Sequence, residues 1–346
     1  MKVTAQQARE FLEEIKSEDR VAIFTHKDLD GFAAGGLFYN FCEKKKCKKI
    51  QVFIINYGER KISDCSLDEF NVILISDLAP SSVAEDLVKL DDKKILYTDH
   101  HPEEKEYPIP EFVLELRMNF QGYIPSSRTC FEITEKENAN LKWLGVFGTI
   151  SDMGQLYKEN DEFLGKYYQE NNTNFEKTYS FVKLLNNVIL FFSASTEAFY
   201  KIASLSKVSD IKKLKEYYEP VEEEWTKLEK QFKEKRENFG KIVYFYFEPK
   251  YSLLKSPFIS GLSGNEPGKV YIFAVPKRGN LIGISGRNQS REYSVLKIMQ
   301  GCLSGLKDGS AAGHIAAVGG QVDKSDLETF KENLRNYDVE KARMNG

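Results

Sequence analysis

Four times in the first 152 residues a short, largely apolar run ends in acid. Val21-Ala-Ile-Phe-Thr25 leads into His26, Asp28 and Asp30, and Val72-Ile-Leu-Ile-Ser76 leads into Asp77. Lys94-Ile-Leu-Tyr-Thr98 leads into Asp99, His100 and His101, and Gly148-Thr-Ile-Ser leads into Asp152. The first three of these runs read as buried strands, with helical spacing between them, and the fourth closes a helical stretch from Leu141 to Ile150. A strand–helix–strand rhythm predicts an α/β fold, a mostly parallel sheet flanked by helices on both faces. Sites in such sheets form outside the carboxyl ends of the strands. Three of the chain's four histidines lie in these motifs. Carboxylates and imidazoles gathered at one sheet edge point to a metal site.

The ligand count of His26, Asp28, Asp30, Asp77, His100 and Asp152 suits two divalent ions. Mixed imidazole and carboxylate donors fit manganese, iron, cobalt or zinc, whereas magnesium favours oxygen alone. If the chain beyond Thr25 stays extended, alternate residues point the same way, and Asp28 and Asp30 face one site together. A single acid after a strand more often caps a helix, and Asp-x-Asp-Gly alone more often marks a turn. The recurrence over four units is what singles out a metal centre. Two ions about 3.5–4 Å apart clamp a phosphoryl group and acidify a water.

A chain of 346 residues suits two domains. The five cysteines (Cys42, Cys47, Cys65, Cys130, Cys302) show no paired C-x-x-C spacing and read as free thiols of a reducing compartment. With no signal-like segment and no apolar run of membrane-span length, the expected location is the cytoplasm, away from membranes. The net charge of −3 does not advertise a nucleic-acid binder, but it is uneven. From Gly240 onward there are 15 Lys/Arg against 10 Asp/Glu; before it, 34 against 42. A basic C-terminal part beside an acidic metal domain fits a phosphate-bearing substrate, though ordinary scatter of surface charge gives the same counts.

Thr4 is placed to cap a first helix from Ala5 to about Ser17, and Gly31 to Lys46 reads as the helix after the first acids. Residues 161–239 read as helical, ending in a long charged helix from Ile211 to Asn238. The expected organisation is a catalytic metal-binding domain over 1–175, a helical linker over 176–239, and a smaller α/β substrate-binding domain over 240–346, with the active-site cleft between the domains. In the last part, 270–275 and 281–285 read as a strand pair, 309–314 as a loop, and Ser325 as the start of a closing helix.

The order His26-x-Asp28-x-Asp30-Gly31, Asp77, Asp99-His100-His101, Asp152 resembles the DHH phosphoesterase superfamily. Ser285-Gly-Arg287 and Gly313-His314 resemble its associated DHHA1 domain. Within the superfamily the chain looks most like archaeal RecJ-like exonucleases and their oligonucleotide-degrading relatives. That resemblance implies a metal-dependent phosphodiesterase with two divalent ions, manganese foremost, acting on single-stranded DNA or RNA or short oligonucleotides from an end to release mononucleotides. By position, His26 and Asp28 would hold one ion, Asp30, His100 and Asp152 the other, and Asp77 would bridge. Asp99 would orient a histidine, and His101 would contact the scissile phosphate. Arg287, Gly313 and His314 would grip a substrate phosphate or terminal nucleotide. The usual glycine run before that histidine reads Ser310-Ala311-Ala312-Gly313 here, which narrows the backbone's approach to phosphate. Related readings are a cyclic-dinucleotide (c-di-AMP type) or phosphoadenosine-phosphate hydrolase, a soluble pyrophosphatase, and a catalytically silent replication scaffold. An active enzyme could also dock on a replication or RNA-decay complex.

Overall fold

The structure, a computed structural model, describes residues 1–56, 60–118 and 122–344. It divides into two compact units, Met1–Glu219 and Pro220–Gly346.

The first unit is built on a five-stranded, wholly parallel sheet of β1 (Arg20–His26), β2 (Lys49–Ile55), β3 (Val72–Ser76), β4 (Lys94–Thr98) and β5 (Leu114–Leu116), in the order β2-β1-β3-β4-β5. Thr25 pairs with Ser76, and Ser76 with Thr98, so three strands end at the same level. That level carries the acids. Both faces of the sheet are covered, which is why the strands read as continuous apolar runs rather than alternating ones. Phe24, Ile73, Ile75 and Tyr97 on one face pack with Phe53, Phe70 and Leu78 in a dry core.

Around the sheet lie α1 (Ala5–Glu13), α2 (Leu29–Lys45), α3 (Pro80–Leu87), α4 (Ser126–Asn138), α5 (Lys142–Ser151), α6 (Asp161–Glu170), α7 (Phe175–Phe191) and α8 (Thr196–Ala203). Helix α1 opens with a reciprocal Thr4–Gln7 capping box, worth about 1 kcal/mol, and stops four residues before the expected Ser17. Helix α2 is buried almost along its first fourteen residues. It begins at Leu29, earlier than the sequence pattern indicates, because Asp28 caps it.

The expected helical stretch 161–239 is a series of separate helices, broken after Glu170, after Phe191 and after Ala203. Its long terminal helix is α9 (Lys215–Lys235), within which the boundary between the units falls at Pro220. The chain leaves this helix as a strand, β6 (Glu237–Phe239), where helix was expected.

The second unit holds a six-stranded sheet of β6, β7 (Ile242–Tyr246), β8 (Val270–Pro276), β9 (Leu281–Arg287), β10 (Ser310–Gly313) and β11 (Ala317–Asp323), ordered β10-β11-β9-β8-β7-β6. Only β7 and β8 run parallel. Helices α10 (Lys255–Ser263), α11 (Val295–Leu303) and α12 (Leu327–Asn336) complete it. The expected loop at 309–314 is instead the edge strand β10 and its turn, because Ser310 to Gly313 pairs antiparallel with Val318 to Gln321. Gly313 has φ +138°, and a Cβ there would meet the Ala317 carbonyl oxygen at 2.5 Å, so the hairpin itself demands glycine. Among the described residues no helix is long and apolar enough to cross a membrane.

Candidate metal centre

Strand β1 ends at His26 and the chain turns at once into α2. Asp28 is the N-cap, its Oδ1 accepting the Gly31 N–H at 3.0 Å. The turn is tight enough that a Cβ on Gly31 would stand 2.5 Å from the His26 carbonyl oxygen. Asp30 therefore sits in the first helical turn, where the positive end of α2 favours a carboxylate. Its two oxygens accept the backbone N–H groups of Ser126, at 2.9 Å, and Ser127, at 3.1 Å, from the start of α4. This corrects the expectation of an extended stretch. A helical turn, not strand alternation, sets the two acids, and they join different groups. Asp28 lies with His26 and Asp77, while Asp30 lies with His100 and Asp152.

Asp77 follows β3 in a left-handed conformation, φ +59°. Aspartate tolerates that region better than most residues, yet such a conformation costs on the order of 1–3 kcal/mol. The backbone is held by its N–H on the Thr98 carbonyl at 3.0 Å. The side chain is buried. Oδ1 accepts from Ser126 Oγ at 3.2 Å and stands 3.2 Å from His100 Nε2. Oδ2 stands 3.7 Å from His26 Nδ1 and has no hydrogen-bond partner among the described residues. His26 Nδ1 is 2.8 Å from Asp28 Oδ2.

Strand β4 delivers Asp99, His100 and His101. His100 Nε2 is 3.5 Å from Asp152 Oδ2, and its Nδ1 is buried without a partner among the described residues. Asp152 ends α5, and Tyr123 donates its hydroxyl to Asp152 Oδ2 at 2.5 Å. His101 Nδ1 lies 2.8 Å from Asp99 Oδ1. Asp99 is held in turn by Arg117 Nη1 at 3.1 Å and lies 3.0 Å from the Tyr97 hydroxyl. Arg117 also pairs with Glu115 at 2.6 Å and donates to the His101 carbonyl. Three overlapping groups result: His26, Asp28 and Asp77; Asp30, His100 and Asp152; Asp77, His100 and His101. Within each group the ligand atoms lie inside 4.8 Å of one another.

The electrostatics are those of a cation site. Burial, reinforced by the neighbouring carboxylates, pushes Asp30 and Asp77 well above the ordinary aspartate range. Burial leads again at Asp152, raised to about 6. Asp28 goes the other way, to about 2, because the hydrogen bond and charge of His26 outweigh desolvation. Burial lowers His100 to about 4, leaving a neutral imidazole. His101 is raised, since Asp99 overcomes the burial that works to lower it. Asp99 is lowered, because His101 and Arg117 overcome burial in their turn. A carboxylate oxygen with no donor, a neutral imidazole and three acids unwilling to ionise alone form a nitrogen–oxygen donor set that fits divalent cations. The residues that would hold them are His26, Asp28, Asp30, Asp77, His100 and Asp152.

In the second unit, Arg287 ends β9 and pairs in register with Ala317 at the start of β11. His314 sits in the exposed β10–β11 turn, its N–H on the Ala317 carbonyl at 2.9 Å, so both residues lie at one end of the sheet. Arg287 Nη1 donates to the Gly286 carbonyl at 2.8 Å and Nη2 to Ser256 Oγ at 3.3 Å. Lys255 lies beside it, its ammonium lowered to about 8 by burial and by the charges of Lys277 and Arg287. Among the described residues none of these three cations is paired with an acid. Sequence reading missed Lys255, the Ser126 and Ser127 amides, Tyr123 and Arg117. Nothing in the local sequence at Ser126 and Ser127 shows the distant carboxylate that their amides hold.

Fold and site together define a class: a parallel α/β unit with an acid–histidine centre at its carboxyl edge, followed by a mixed α/β unit. No protein-family model and no curated protein sequence matches the chain. Solved structures do. The chain is similar to the manganese-bound exonuclease RecJ at 14% identity and a TM-score of 0.71, covering 97% of this chain and 95% of that one. It is similar to the DHH domain of a member of the s1p family of ribosomal proteins at 15% identity and a TM-score of 0.68, covering 96% and 90%. A pGpG-specific phosphodiesterase from Vibrio cholerae aligns at 13% identity and a TM-score of 0.53, covering 91% and 97%. The fold is shared with RecJ and with this DHH domain.

Proposed function

We propose that this chain is a metal-dependent phosphodiesterase, a RecJ-like exonuclease that hydrolyses single-stranded DNA or RNA, or short oligonucleotides, from an end to mononucleotides. The observation that carries the reading is the gathering of four aspartates and three histidines from four strand or helix ends into overlapping ligand groups around the unpartnered Asp77 Oδ2. Two divalent cations bound there, manganese foremost, supply a polarised phosphate and an acidified water.

The chain's own residues divide the remaining work. Asp30 is locked by two backbone amides, so its oxygens are fixed before any ligand arrives. His101, protonated more readily than an ordinary histidine and held by Asp99, would contact the scissile phosphate and give a proton to the leaving oxygen. In the second unit Arg287, with Lys255 and Lys277 near it, supplies unpaired positive charge for a phosphate, and the guanidinium suits a bidentate grip. A shorter substrate is also supported. The Vibrio cholerae neighbour is a phosphodiesterase specific for a dinucleotide, and a small ligand needs no long basic groove.

The test is hydrolysis of end-labelled RNA and DNA, a few and a few tens of nucleotides long, with and without manganese, beside linear and cyclic dinucleotides. A ladder shrinking from one end is the expected result. Turnover of only di- and trinucleotides or of the cyclic substrate moves the protein to nucleotide turnover or signalling. Failure on every phosphodiester sinks the proposal.

A further inference from the structure

Beside the metal centre the surface is apolar, where the acids would lead one to expect a wet rim. Past Asp152 the chain turns through Met153, φ +58°, and the next turn points three large side chains outward. Met153 is 62% exposed, Leu156 71% and Tyr157 42%. Tyr157 lies nearly flat on Tyr123, with ring centroids 4.3 Å apart and planes 24° from parallel. Tyr123 stands edge-on to the His100 ring at 5.2 Å and donates to Asp152. An aromatic stack thus starts on two residues of the metal centre and ends at the surface.

This wall is fastened by a buried polar residue. The Asn160 amide donates to the carbonyls of Tyr123 and Gly154, each at 2.9 Å, joining the segments that carry the two rings. Its Oδ1 accepts from Arg128 at 2.9 Å. The stack is held in position before any ligand comes.

We propose that Tyr157, backed by Tyr123, is the stacking platform for the nucleobase of a nucleotide flanking the phosphate at the metal centre. The inference rests on the nucleic-acid reading above and deepens it. If the tyrosine pair only closed the core, the outer ring would have no reason to stay exposed beside two other bare apolar side chains. Every base presents a π-face, so an aromatic platform binds without sequence preference. The two rings step outward from a metal-site imidazole within the span of one nucleotide, whose base and phosphate are joined by a single sugar. Phosphate at the acids and base on Tyr157 would fix a strand end by two contacts of different chemistry.

The test compares the wild type with Tyr157→Ala and Tyr157→Phe on trinucleotides in manganese, with each nucleotide flanking the scissile phosphate replaced in turn by an abasic residue. Tyr157→Ala is expected to raise KM about 10- to 100-fold on the full trinucleotide, and Tyr157→Phe to restore it. At one abasic position the two enzymes should converge, because the lost base and the lost ring are one interaction. Equal KM for wild type and Tyr157→Ala on the full trinucleotide overturns the proposal. So does a defect that persists at both abasic positions, which would mark a structural role. A second readout does not need turnover. The fluorescence of 2-aminopurine riboside monophosphate should be quenched by the wild type and not by Tyr157→Ala. Quenching without hydrolysis of any substrate would keep the platform and remove the nuclease; hydrolysis with neither quenching nor a KM change would do the reverse.

Discussion

His100 Nε2 stands 3.2 Å from Asp77 Oδ1, while Asp77 Oδ2 and His100 Nδ1, both buried, have no hydrogen-bond partner among the described residues. Two facing candidate ligands each keep an atom unsatisfied among the described residues, and Asp77 does so on a left-handed backbone. Such a pair is not there for stability. Asp77→Asn replaces a carboxyl group that burial makes hard to ionise and keeps the shape. The metal-free variant should therefore melt no lower than the metal-free wild type. Its turnover should fall on the order of 1000-fold, and its melting temperature should no longer rise with manganese. Calorimetry with and without manganese, beside a single-turnover assay, checks all three. Full turnover in this variant would rule out Asp77 as a shared ligand.

The acids also set a pH dependence in the metal-free protein. Asp30, Asp77 and Asp152 have folded pKa values above the unfolded ones, so the folded state binds more protons at intermediate pH. Their contribution to stability is complete below the unfolded aspartate range, about pH 4, and is lost as pH rises through the folded values, which for Asp152 is about 6. Asp28, lowered to about 2, acts oppositely and only in the acid range between 2 and the ordinary aspartate value. In chelator the three acids should therefore make the protein melt lower at pH 8 than at pH 5.5, outweighing His100, which as a buried neutral imidazole costs stability as pH falls below the ordinary histidine value. A divalent ion replaces the missing protons, so the gain on adding manganese should be larger at pH 8. Thermal melts at both pH values, in chelator and in manganese, measure the difference; equal gains would contradict it.

The sheet edge was legible in sequence because three parallel strands end in register, and a strand's end is where its apolar run stops. The three strands β1, β3 and β4 could be read to within a residue or so, and their acids with them. What escaped was set by contacts between distant segments. No spacing rule shows that Asp30 accepts the amides of Ser126 and Ser127, ninety-odd residues away. The extended reading of Asp28 and Asp30 failed because Asp28 satisfies the open N–H of Gly31, and a capped helix then starts at once. The β10 strand was hidden by Ser310, Ala311 and Ala312, small residues with little β preference, which the partner strand β11 nevertheless pairs.

Arg117 was unreadable for the same reason, and its removal should be costly. It is buried between Asp99 and Glu115 and also donates to the Tyr97 hydroxyl at 3.1 Å and to the His101 carbonyl. Arg117→Met leaves two buried carboxylates without their cation and should lower stability by about 3–5 kcal/mol. Pairing it with Asp99→Asn and Glu115→Gln should recover much of that loss. Urea unfolding of the single and triple variants measures both. A single variant within about 1 kcal/mol of wild type would show that the carboxylates find other partners.

Arg287 should behave differently, because among the described residues its guanidinium has no acidic partner. It donates to the Gly286 carbonyl and Ser256 Oγ. Arg287→Ala should change stability little and weaken phosphate binding, raising KM on short oligonucleotides about 10- to 100-fold with a smaller effect on kcat. Arg287→Lys keeps the charge and loses the fork, and should recover only part of the affinity. The neighbouring Lys255, lowered to about 8, loses its charge as pH rises past that value. In Arg287→Ala one of the two cations that hold Lys255 down is gone, so its pKa should rise and the remaining affinity should persist to higher pH than in the wild type. Steady-state KM from pH 6.5 to 9.5 for wild type, Arg287→Ala and Arg287→Lys separates charge from geometry. Unaltered KM in the alanine variant would place the substrate's phosphates elsewhere.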